Sequence, residues 1–193
     1  MFKDKFLLFL EHEKRYSIHT LKSYSTDLQQ FFNFLSYNFK IKKVKDVNFQ
    51  LVRSWITQLL NNKISSRSVN RKITTLKTYF RFLLREDIIK QSPMIKIVSP
   101  KTSKRLPVFI EEAKMKELLE DVDFGKGYVA ERDRLILEIF YFTGIRLTEL
   151  INIKKNDIDF SNNTILVLGK RNKERLIPVT VDIISKIRDL SNF

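Results

Sequence analysis

The chain has 193 residues and a mass of 23.0 kDa, room for one large domain or two small ones at about 150 residues per domain. It has no Cys and only two His, which excludes disulfide scaffolds, Cys-ligated zinc, iron–sulfur clusters and thiol nucleophiles, and argues against a His-rich metal site. Hydrophobic residues at 43%, 16 of them Phe, are enough for a packed core, while 36 Lys and Arg against 22 Asp and Glu leave a charge of +14 that favours a polyanionic partner.

The start of the chain does not read as a secretory signal. Lys3, Asp4 and Lys5 precede an apolar run, 6–10, that is too short for one. The best membrane candidate, 135–142, is also short and contains Glu138. A cytoplasmic, reducing location and no membrane partner are therefore expected. Residues 1–100 hold 19 basic and 7 acidic side chains, a net +12, whereas 101–193 hold 17 and 15, a net +2. So strong a bias in one half points to nucleic acid, with a membrane surface or an acidic protein as alternatives.

Four amphipathic helices are expected in the basic half. The first covers 2–14, with Phe2, Phe6, Phe9 and Leu10 on one face. The second follows Ser17 as N-cap, and its stripe is Leu21, Tyr24, Leu28, Phe31 and Leu35. The third covers 50–61. The fourth starts after Ser65 or Ser66 and runs through Val69, Ile73, Leu76, Phe80 and Leu83 to about Glu86. Those stripes read as core.

The polar side of the fourth helix reads as a binding face. Arg67 and Arg71, four residues apart, project together, with Ser66, Asn70 and Lys72 beside them. Guanidinium, hydroxyl and amide groups suit phosphates and base edges. Thr20 and Lys22, at the start of the second helix, join this candidate DNA-binding set. Helix capping and solvation explain any one of these residues; their clustering favours DNA.

Pro93, Pro100 and Pro107 fall in a stretch without apolar period, so 91–106 reads as an extended linker between a domain at 1–90 and one at 107–193. In the second domain, 111–120 and 130–142 read as helices. Gly144 breaks the pattern and a short helix follows over 146–153. Strands at 164–168 and 175–180 make a hairpin with a basic tip, and a helix over 181–190 follows. Arg146, at the start of the short helix, combines a guanidinium with free amides and a helix dipole, which suits a phosphate, although on its own the motif reads better as a helix C-cap followed by a surface arginine.

Taken together, Thr143-Gly144-Ile145-Arg146-Leu147-Thr148-Glu149-Leu150 and the hairpin tip Gly169-Lys170-Arg171-Asn172-Lys173-Glu174-Arg175 resemble the tyrosine recombinase (phage integrase) family, the Xer-type members in particular. Ser17, Thr20, Tyr24, Asp27, Leu28 and Phe31 are similar to its core-binding domain. The resemblance implies a mainly α fold with a small β-hairpin or sheet. An N-terminal four-helix SAM-like core-binding domain would precede the N-terminal part of a mixed α/β catalytic domain. It implies site-specific DNA recombination or integration, in which a tyrosine attacks a DNA phosphate and forms a 3′-phosphotyrosine without cofactor or metal. Arg146 matches the arginine that binds the scissile phosphate, and Lys170 the hairpin lysine that acts as general acid. Lys173 is the alternative to Lys170 and a DNA contact, and Glu149 matches a supporting acidic position. Double-stranded DNA and other recombinase protomers are the implied partners.

The family's His-x-x-Arg box and nucleophilic tyrosine would follow the hairpin. No tyrosine follows Tyr141 here, so the chain is expected to be truncated before the second catalytic arginine and the nucleophile, and inactive alone. A non-catalytic DNA-binding protein that occupies or regulates recombination sites is the alternative. A basic helical RNA-binding protein is a further one.

Overall fold

The computed structural model describes residues 2–103, 106, 108–169 and 173–190, which divide into two compact units, 1–105 and 106–193. The fold is mainly helical, with one small antiparallel sheet in the second unit.

The first unit contains α1 (Lys3–His12), α2 (Ile18–Phe39), α3 (Phe49–Asn61) and α4 (Ser66–Arg85). Side-chain caps set three of their starts. Ser17 Oγ accepts from the Thr20 amide, Asn48 Oδ1 from Leu51 and Ser65 Oγ from Ser68. α2 stops where Lys40 turns left-handed, at φ 56°. The apolar stripes meet in one core. Phe6, Leu10, Leu28, Phe31, Leu35, Ile73, Leu76, Tyr79, Phe80 and Leu83 are all essentially buried. Rings interlock there, with Phe31 at 5.0 Å from Trp55 and Phe6 edge-on to Tyr79 at 5.2 Å. Each large buried side chain contributes about 1.5–3 kcal/mol.

The proline-marked segment differs from a free connector along its first half. Met94 and Ile97 are buried against this core, Pro93 is buried as well, and the Asn70 amide donates to the Pro100 carbonyl at 2.9 Å. The apolar side chains of Met94 and Ile97 supply the reason, since burial outweighs an extended, solvated path.

The second unit contains α5 (Glu112–Glu120), α6 (Tyr128–Thr143), α7 (Leu147–Leu150), β1 (Ile158–Asp159), β2 (Thr164–Leu168), β3 (Glu174–Pro178) and α8 (Val181–Leu190). The sheet order is β1-β2-β3, with Ile165 opposite Ile177 and Val167 opposite Arg175. Ile165, Val167 and Ile177 point inward and meet Leu135, Ile139, Ile145 and Ile183. Glu138, buried on α6, accepts from Lys186 Nζ at 3.0 and 2.9 Å and so fixes α8 to α6. The two-residue β1 has no sequence signal of its own. The short helix expected over 146–153 is only one turn long, because Ile151 to Ile153 continue as hydrogen-bonded turns.

Candidate phosphate and nucleic-acid site

Gly144 ends α6 in the left-handed conformation, at φ 59°, and its amide bonds the Phe140 carbonyl at 3.0 Å. A side chain there would meet strain, so glycine fits the turn that delivers Ile145 inward and Arg146 outward. Glu149, three residues on, has a side chain only 2% exposed and lies between two arginines. Its Oε1 accepts from Arg146 Nη1 at 2.7 Å and from Arg175 Nη1 at 2.8 Å. Its Oε2 accepts from the Arg146 backbone amide at 2.9 Å and from Arg175 Nη2 at 2.8 Å.

Arg175 first, then the Arg146 amide and guanidinium, stabilise the carboxylate and hold its pKa down to about 2. One anion thus faces two cations. The cluster keeps a net positive charge, and the Arg146 side chain is 62% exposed. A guanidinium oriented from behind and open in front suits a phosphate oxygen. The source of this orientation corrects the sequence reading: α7 is a single turn, and Glu149, not a free helix dipole, occupies the Arg146 amide.

Arg175 reaches Glu149 because it shares the inward side of β3 with Ile177. Gly169 allows the close approach. A Cβ there would lie 3.2 Å from Arg175 Nη1 and 3.3 Å from Glu149 Oε1. Lys173 is exposed, and its carbonyl accepts from the Gly169 amide at 2.7 Å. Lys170, the expected general acid, lies outside the described residues, as do Arg171 and Asn172. Arg175 was not among the expected site residues. Its signal was its place two residues before an inward Ile177.

In the first unit, Arg67 and Lys22 are exposed, and Ser66 and Thr20 are half-buried at the starts of α4 and α2. Asn70 is half-buried, with its amide on Pro100. Arg71 is half-exposed and grips Asp27 with both terminal nitrogens, Nη2 at 2.9 Å from Oδ1. Lys72 departs from the expected solvent-facing role. Its side chain is 8% exposed, and Nζ bonds Asp27 Oδ1 at 2.9 Å and also Gln30 Oε1. The cause is helical phase. Lys72 lies three residues after Val69 and four before Leu76, on the apolar side of α4. Thr75, likewise buried, donates to Asp27 Oδ2 at 2.9 Å. Among the described residues no helix is long and apolar enough to cross a membrane.

Residues 4–87 match the phage integrase N-terminal SAM-like domain, and residues 108–192 match the phage integrase family domain. The chain is 40% identical over 176 residues to tyrosine recombinase XerC of Staphylococcus carnosus strain TM300. It is 42% identical over 178 residues to that of Staphylococcus aureus strain JH9. Each match covers 91% of this chain and 58% of the relative, so the chain spans little more than half the length of these curated relatives.

Among solved structures, the Tn1549 transposon integrase in complex with a circular intermediate DNA shares the fold. Its TM-score is 0.72 at 15% identity, covering 98% of this chain and 64% of that one. A lambda integrase tetramer bound to a Holliday junction gives a TM-score of 0.71 at 15% identity, covering 98% and 54%. Two domain matches in family order and the Xer relatives lead to one conclusion: the chain belongs to the phage integrase, or tyrosine recombinase, family.

Proposed function

We propose that this chain binds duplex DNA and supplies one side of a phosphoryl-transfer site for site-specific recombination. It would act in the cytoplasm alongside further recombinase protomers. The carrying observation is the Arg146–Glu149–Arg175 cluster, in which a buried carboxylate orients an exposed guanidinium. In this reading Arg146 holds a scissile phosphate and offsets the charge that builds on its oxygens in the transition state. Lys170, next to Gly169 in the sequence, delivers a proton to the leaving 5′ oxygen, with Lys173 the other candidate. In this reading the attacking group is a tyrosine, and none follows Tyr141 in these 193 residues.

The first unit supplies affinity. Arg67, Arg71, Ser66, Asn70, Thr20 and Lys22 form the proposed DNA-binding set on α2 and α4, and Lys72 acts behind it through Asp27. The relatives are named tyrosine recombinases, and the transposon and lambda integrases of similar fold were solved on DNA, which supports the reading. The test is binding to a short fluorescein-labelled duplex across a salt series. Affinity should fall steeply as counterions are released, and Arg67→Ala should reduce the logarithmic salt slope by about one. A dissociation constant flat between low and physiological salt would overturn the proposal.

A further inference from the structure

Asp27 is a fully buried carboxylate with two cations and a hydroxyl on it. Lys72 and Thr75 lie behind it in the core and already meet the needs of one buried charge: an ion pair at 2.9 Å and a hydrogen bond at 2.9 Å. Arg71 is in excess of that need. It grips the same carboxylate with Nη1 and Nη2, yet its side chain stays 47% exposed. The group of three carries a net positive charge, and the surplus lies on the solvent side. A buried ion network is a poor source of stability compared with apolar packing, so stability alone does not explain it.

We infer that Asp27 is a positioning residue: from inside the first unit it locks the guanidinium plane of Arg71 so that its outer edge presents fixed donors to a DNA phosphate or base edge. The inference rests on the DNA-binding reading above. A guanidinium held in a bidentate grip has already lost its rotamer freedom, so ligand binding costs less entropy. Lys72 secures Asp27 in turn through its bond to Gln30. The chain of restraint therefore runs Gln30, Lys72, Asp27, Arg71, across the seam between α2 and α4.

Charge and positioning predict opposite signs, which makes the inference testable. Asp27→Asn raises the local charge by one. Plain electrostatics then demands tighter binding to DNA. Loss of positioning demands weaker binding, by about fivefold or more, the low end of one well-placed guanidinium. The full chain is titrated into the labelled duplex, with circular dichroism confirming the fold of each variant. Expected are weaker binding for Asp27→Asn with an undiminished salt slope, and no further loss when it is added to Arg71→Ala. Arg71→Lys, which keeps the charge and removes the fork, should weaken binding by a similar factor; it decides the matter if Asp27→Asn does not fold. Wild-type binding with Asp27→Asn equal or tighter, or with Arg71→Lys at wild-type affinity, overturns this inference alone. A wild-type chain that ignores the duplex removes the DNA reading, and this inference with it.

Discussion

Gly169→Ala tests whether the hairpin and the Arg146 turn are one unit. Gly169 does not need the left-handed backbone, so the substitution probes packing alone. The added methyl would lie 3.2 Å from Arg175 Nη1, 3.2 Å from the Lys173 carbonyl oxygen and 3.3 Å from Glu149 Oε1. All three distances are tighter than ordinary van der Waals contact. The carbonyl yields least, being backbone tied to the Gly169 amide at 2.7 Å. Arg175 yields most, and it does so by loosening its hold on Glu149. Overpacking of this kind costs about 1–3 kcal/mol. Because Arg175 contributes most to the low pKa of Glu149, that pKa should rise from about 2 toward its ordinary 4.5. Carboxyl-carbon NMR titration of Glu149 and chemical denaturation of the chain read the two effects. A variant whose Glu149 still titrates near 2, with stability within about 0.5 kcal/mol of the parent, would refute the coupling.

Leu76→Ala removes a fully buried side chain from among rigid rings, and denaturation should show a loss of about 2–5 kcal/mol, with duplex affinity kept under folding conditions. Glu149 has a folded pKa below its ordinary 4.5, so its contribution to stability is complete above that value and is lost as pH falls through about 2. The stability gap between the parent and Glu149→Gln should accordingly shrink across that window.

The helical stripes were legible in sequence because local periodicity and caps write them. Ser17, Ser65 and Gly144 act where their chemistry indicated. Long-range pairings were not legible. Asp27 meets Arg71 and Lys72 across 44 and 45 residues, and Glu149 meets Arg175 across 26. No local rule joins such positions. A partial signal existed even so: Asp27 lies three residues after Tyr24 and four before Phe31, and Lys72 has the same phase on α4. Two opposite charges on two apolar stripes must pair if both helices share a core. The packing of Met94 and Ile97 was hidden for a related reason, since two buried apolar residues among prolines show no period.

The most direct test follows the arginine side-chain Nε–H signals of the chain by NMR while a short mixed-sequence duplex is added. Arg67, Arg71 and Arg146 should shift together and saturate at one duplex concentration, while the signal of Arg85, at the far end of α4 and held by Glu13 and Glu86, should stay in place. Saturating binding that leaves Arg146 and Arg71 unmoved would contradict the proposed function.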